Sequence, residues 1–105
     1  MNMEHNFNEL QSKVLGWAFT RGIMQHSNPR SQLLKAVSEL GELCDAEVKG
    51  EHNKVIDGIG DTLVCLIIYA EMNGVDLTIC LNEAYNEIKD RKGKMVEGGA
   101  FVKDI

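Results

Sequence analysis

The sequence predicts an all-α protein of the four-helix-bundle type, and three observations carry that expectation. Apolar residues recur at helical spacing through four separate stretches. The only proline, Pro29, stands where a helix would begin, so no stretch is broken from within. No stretch alternates apolar and polar residues between hairpin turns, so no sheet is expected. The length of 105 residues fits a single domain, with a helical core over 6–92 and a tail over 93–105.

The first helix is expected over 6–21, where Phe7, Leu10, Val14, Trp17 and Ala18 share a face and Gly22 breaks the pattern. The second starts at Ser27 or Asn28, either of which can cap, with Pro29 in the first turn. It runs to Lys49 and stops at Gly50. Leu33, Leu34, Val37, Leu40 and Cys44 form its apolar face. The third begins near His52 or Asn53 and ends at Asn73 and Gly74. The fourth is capped by Asp76 and runs to Lys92, closed by Gly93, with Leu77, Cys80, Leu81, Ala84 and Ile88 on one side.

Over 59–70 the third helix is apolar on nearly every side, which marks a central element. So small a bundle cannot cover it all, so the chain is expected to oligomerise through helix packing, as a homodimer or homotetramer.

Sixteen acidic residues against eleven basic ones give a net charge of −5. No basic cluster precedes residue 89, which argues against binding a nucleic acid polymer. Cys44, Cys65 and Cys80 show no CxxC spacing and are expected to be free, buried thiols in a reducing compartment. The first ten residues lack the basic and apolar regions of a signal peptide, and the apolar run over 62–70 is too short to span a bilayer. A cytoplasmic location, without membrane association, is the resulting expectation.

The acids carry the functional signal. Glu39 and Glu42 are three apart on the second helix and project from one side. Asp57 and Asp61 are four apart on the third, and their stripe runs into Val64 and Ile68. Aspartate is a poor mid-helix residue and is costly to bury unpaired, so Asp61 calls for a basic partner or a divalent cation. Two acid pairs facing each other across a short turn make an oxygen-only cage, which suits Mg2+, or Mn2+, over zinc or copper. A di-iron site needs Glu-x-x-His motifs, and His5, His26 and His52 supply none.

At these residues the sequence resembles the MazG-like all-α nucleoside triphosphate pyrophosphohydrolases, in particular the small single-domain forms of phages and bacteria. The family pattern is EExxE on one helix and ExxD on the next. Here it reads Ser38–Glu39–Leu40–Gly41–Glu42 and Gly58–Ile59–Gly60–Asp61. Gln32–Leu33–Leu34–Lys35, the run Gly60–Asp61–Thr62–Leu63–Val64, and the ending from Asn86 to Met95 extend the match over residues 15–103. Two family glutamates are replaced, by Ser38 and Gly58. Asp57 shares a face with Asp61 and is the expected substitute for the second.

The resemblance implies a Mg2+-dependent hydrolase (Mn2+ serving as well) that converts an NTP or dNTP to the monophosphate and pyrophosphate. It would work in the cytoplasm of a bacterium, or of a phage's host. Glu39, Glu42 and Asp61 would be catalytic, and with Asp57 would hold the metal, Glu39 serving as the base that orients water. Lys89, Arg91 and Lys92 would contact phosphates, Arg91 from the inward stripe of Leu77, Ala84 and Ile88. Lys35 would pair with Glu39 or touch a phosphate, and Asn86 would read base or sugar. Trp17 is left with two roles, core packing beside Leu10 and Val14 or stacking on a base. The lost glutamates favour an alternative, a non-catalytic or substrate-shifted regulator that binds a nucleotide or alarmone.

Overall fold

The computed structural model describes residues 6–104. Its elements run α1 (Phe7–Thr20), α2 (Ile23–His26), α3 (Pro29–Lys49), α4 (His52–Met72), α5 (Leu77–Ile88), β1 (Gly93–Met95) and β2 (Phe101–Lys103). The helix starts are set by side-chain caps. Asn6 accepts from the amides of Asn8 and Glu9, Asn28 from Ser31, and Asp76 from Ile79. Pro29 occupies the first turn of α3, and Gly50 ends it with φ +69°, a left-handed conformation that suits glycine. Glu51 alone separates Gly50 from α4, so α3 and α4 fold back on each other as a helical hairpin.

Three expectations are corrected. A further helical turn, α2, fills the break after Gly22. The last helix ends at Ile88 rather than Lys92. The tail, expected without a strand, forms an antiparallel hairpin pairing Gly93 with Lys103 and Met95 with Phe101. These last two have one cause. The Lys92 carbonyl accepts from the Asp104 amide at 2.8 Å, extending the β1–β2 pairing, so the chain has left the helix by Lys92 to enter the hairpin. Gly93 is needed there by packing, because a side chain would run into the Val102 carbonyl and the Lys103 backbone.

The buried apolar residues are mostly small: Ala18 on α1, Ala36 and Ala46 on α3, and Cys65, Ile67, Ile68 and Ala70 on α4. The third predicted helix is thus the central one. Gln11 is also buried and ties α1 to α5. Its amide nitrogen donates to Thr78 Oγ1 at 3.3 Å, and its oxygen accepts from the Leu77 amide at 3.1 Å. Of the thiols only Cys65 is buried; Cys44 and Cys80 are exposed, against expectation, because the helix faces they share with Leu40 and Leu81 are themselves exposed.

Helix α5 carries no buried residue and bends 96° away from α4. Leu34, Val37 and Leu81 are each more than 60% exposed. The radius of gyration is 16.5 Å, against about 13 Å for a compact chain of this length. Among the described residues no single helix is long and apolar enough to cross a membrane.

Candidate active site

The α3–α4 hairpin places the acids. With α3 and α4 packed face to face, the stripe of Glu39 and Glu42 meets the stripe of Asp57 and Asp61 across one cleft of about 320 Å³. Ala46 and Gly58 floor the cleft, both buried and both small enough to let the helices approach. All four predicted acids line it together.

The sequence reading missed four further lining residues. Asp45 continues the Glu39–Glu42 stripe at the next helical step. Lys49, Glu51 and Lys54 close the end of the cleft at the interhelical turn. The spacing of Asp45, three after Glu42, was legible. The turn residues were not, because only the hairpin brings them round. There Lys54 Nζ lies 2.9 Å from Glu51 Oε2, which lowers the Glu51 carboxyl and raises the Lys54 ammonium relative to their ordinary values.

The other acids are undercompensated. Glu42 is raised above the ordinary glutamate value, first by the hydrogen-bonding neighbour Glu39 and its charge, then by desolvation and Asp61. Asp61 is exposed, not buried as its place beside the apolar block suggests, because it faces the open cleft; partial desolvation there raises it first, then Asp57 and Glu39. Lys35 opposes both shifts. Its Nζ stands 3.6 Å from Glu39 Oε1, so the expected pairing one turn apart is present. Burial pushes the Cys65 thiol up, with Lys35 opposing, and it stays neutral beneath the site.

Such a donor set fits a hard divalent cation. Every ligand-type atom offered by Glu39, Glu42, Asp57 and Asp61 is an oxygen, and the carboxylates repel one another in its absence. Among the described residues no three acidic, histidine or cysteine side chains already close on one point. The acids ring the cleft, and side-chain rotation would have to bring them onto an ion.

A second hollow adjoins the first. Leu10, Lys13, Val14 and Trp17 of α1 and Asp61 and Val64 of α4 line an apolar groove of about 390 Å³. Asp61 belongs to both. Trp17 is 48% exposed, so it is not a core residue; its ring forms the wall of this groove.

The basic cluster lies elsewhere. Arg91 and Lys92 border a separate hollow with Glu87, Asp90, Lys103 and Asp104. Arg91 falls in the turn after α5, its amide donating to the Ile88 carbonyl at 2.9 Å, so it is exposed and not on an inward helix face. Asn86 and Lys89 are exposed as well. None of the four lines the acid cleft of its own chain.

An acid-bearing helical hairpin braced by α1 is the frame of a known class, and the chain has the MazG-like all-α fold. It superposes on a cyanophage S-2L MazG-like pyrophosphohydrolase, solved with dGDP and three catalytic Mn2+ ions per active site. The TM-score is 0.72 at 21% identity, over 99% of this chain and 98% of the other. In sequence, the chain is 34% identical over 68 residues to an uncharacterised 18.2 kDa protein of the rep-hol intergenic region of Haemophilus phage HP1. That match covers 65% of this chain and 42% of the phage protein, so the chain spans under half of its relative. No protein-family model matches.

Proposed function

We propose that the protein is a divalent-metal-dependent nucleotide pyrophosphohydrolase, using Mg2+ or Mn2+ to convert an NTP or dNTP to the monophosphate and pyrophosphate. The observation that carries this reading is the convergence of Glu39, Glu42, Asp57 and Asp61 on one cleft. It is supported by the MazG-like fold and by the dGDP and Mn2+ held by the cyanophage relative.

A bound divalent ion would supply charge neutralisation at the phosphate oxygens and a more acidic water. Glu39, Glu42, Asp57 and Asp61 are the residues that would hold it. Glu39 orients the attacking water and accepts its proton. Attack at the α-phosphorus breaks the bond to the bridging oxygen, and pyrophosphate leaves. Trp17 offers an aromatic face to the base, in a groove that touches the acid cleft at Asp61.

The leaving pyrophosphate needs cations. Lys35 is at hand, one turn from Glu39. Lys89, Arg91 and Lys92, and Asn86 for base or sugar, would come from a second copy of the chain. A homodimer or homotetramer also answers the apolar surface. The chain exposes 8306 Å², against about 5,900 Å² for a compact monomer of 11.7 kDa.

Pyrophosphate release from each NTP and dNTP with Mg2+ or Mn2+ tests the reading, and should vanish in Glu39→Ala and Asp61→Ala. A second reading, a nucleotide- or alarmone-binding regulator, is favoured by Ser38 and Gly58. It predicts calorimetric binding of nucleotide without turnover.

A further inference from the structure

Gly58 stands at a tight contact between the two acid-bearing helices. A Cβ there would lie 3.1 Å from Leu43 Cβ, 3.2 Å from Leu43 Cδ1 and 3.3 Å from Leu43 Cα. Carbon atoms in favourable contact stay about 3.5–4.0 Å apart. One of the three atoms is backbone, so swinging the leucine side chain away would not relieve the contact. By contrast, Gly41 on α3 and Gly60 on α4 have nothing within 4 Å of such a position. A side chain at 58 would therefore push Leu43 and its helix by a few tenths of an ångström, whereas at those two positions it would meet nothing.

The location matters. Leu43 directly follows Glu42. Gly58 directly follows Asp57 and precedes Asp61 by three residues. This tight contact between α3 and α4 thus falls inside the acid set, and the buried Ala46 lines the same cleft from α3. Thr62 Oγ1 donates to the Gly58 carbonyl at 2.8 Å, a back-bond of the kind that bends a helix locally.

We infer that Gly58 is a positioning residue: its missing side chain holds α3 and α4 at the separation at which Glu42 and the Asp57–Asp61 pair can ligate the same divalent ion. The inference rests on reading the cleft as a metal site. Mg2+ demands near-ideal octahedral geometry at about 2.0–2.1 Å, so a small shift between the helices is felt by every ligand. The glycine is then a rebuilt contact rather than a vacant ligand position.

Mn2+ titration followed by electron paramagnetic resonance, without nucleotide, tests this. Gly58→Ala should weaken Mn2+ about tenfold, the scale on which supporting residues act on a metal site. Far-UV circular dichroism should show helicity retained, since alanine is the better helix former. Leu43→Gly removes the opposing Cβ and should recover affinity when combined with Gly58→Ala, measured against Leu43→Gly alone. Gly58→Glu adds a carboxylate yet should bind Mn2+ more weakly than the wild type. Unchanged affinity in Gly58→Ala, no recovery in the double variant, or tighter binding by Gly58→Glu overturns the inference and leaves the proposed function standing. A wild-type protein that binds no Mn2+ overturns both. Should Gly58→Ala not fold, the comparison of the Leu43→Gly/Gly58→Ala double variant with Leu43→Gly decides, since the opposing Cβ is gone from both.

Discussion

Asp61 on α4 and Trp17 on α1 line one groove, and the same aspartate closes the acid cleft on its other side. One carboxylate therefore borders both hollows, the groove that under the proposed function would take a base and the cleft that would take the phosphates. Removing the Trp17 ring should act on binding more than on chemistry. Trp17→Ala is expected to raise KM about tenfold with kcat little changed, since stacking on one base is worth roughly 1–3 kcal/mol. Titration of the native tryptophan fluorescence with nucleotide should show saturable quenching that follows the same KM.

Glu39 and Asp61 line the cleft from opposite helices, and under the proposed function each is a ligand to the same ion. Glu39→Gln and Asp61→Asn keep size and remove charge. Each should lower kcat by at least about a hundredfold, comparable to losing one group that stabilises charge in a transition state. The double variant should fall little further, because the two act as one unit. Pyrophosphate release under saturating Mg2+ is the measurement.

The crowded acids should also make the metal-free protein pH-sensitive. Glu42 and Asp61 are raised above their ordinary values by neighbouring carboxylates and desolvation. The folded state then binds more protons than the unfolded one between the ordinary and the raised value. Across that window stability falls as pH rises, and the penalty is complete above the raised value. In chelator, the melting temperature should rise on going from neutral to mildly acidic pH, as far as these groups contribute. Asp61→Asn should melt higher than the wild type at neutral pH while being inactive. Added Mg2+ should stabilise the wild type at neutral pH and progressively less as protons compete.

Helix α5 leaves its apolar side chains exposed, the surface that the proposed oligomer would cover. Leu81 is 70% exposed and Ile79, Tyr85 and Ile88 each more than half. Light scattering after size exclusion should give a multiple of 11.7 kDa for the wild type. Leu81→Glu places a charge on that face and should shift the protein toward monomer. If Lys89 and Arg91 act across the interface, the same variant should lose turnover while its acid cleft is intact.

How much of this was legible beforehand depends on the range of the interaction. Asn28, Pro29, Gly50 and Asp76 gave the helix boundaries correctly, because capping and left-handed turns act over three or four residues. The pairing of Glu39 with Glu42, and of Asp57 with Asp61, followed from helical spacing. Where the reading failed, a distant partner had intervened. The end of α5 depended on the tail hairpin, where Lys92 pairs with Asp104 and the chain has already left the helix. The exposure of Trp17 depended on α1 leaving a groove against α4, which periodicity along α1 does not encode.

The sequence by itself determined the all-α class, the helix starts and the two same-face acid pairs, since each is a local consequence of spacing and capping. Only the tertiary structure decided that these pairs share one cleft, that Asp45, Lys49, Glu51 and Lys54 join them, and that the basic end of α5 lies apart. It also decided that Gly58 is a contact with Leu43. Those are relations between helices, and they depend on how closely two surfaces pack, a quantity set by shape in three dimensions rather than by order along the chain.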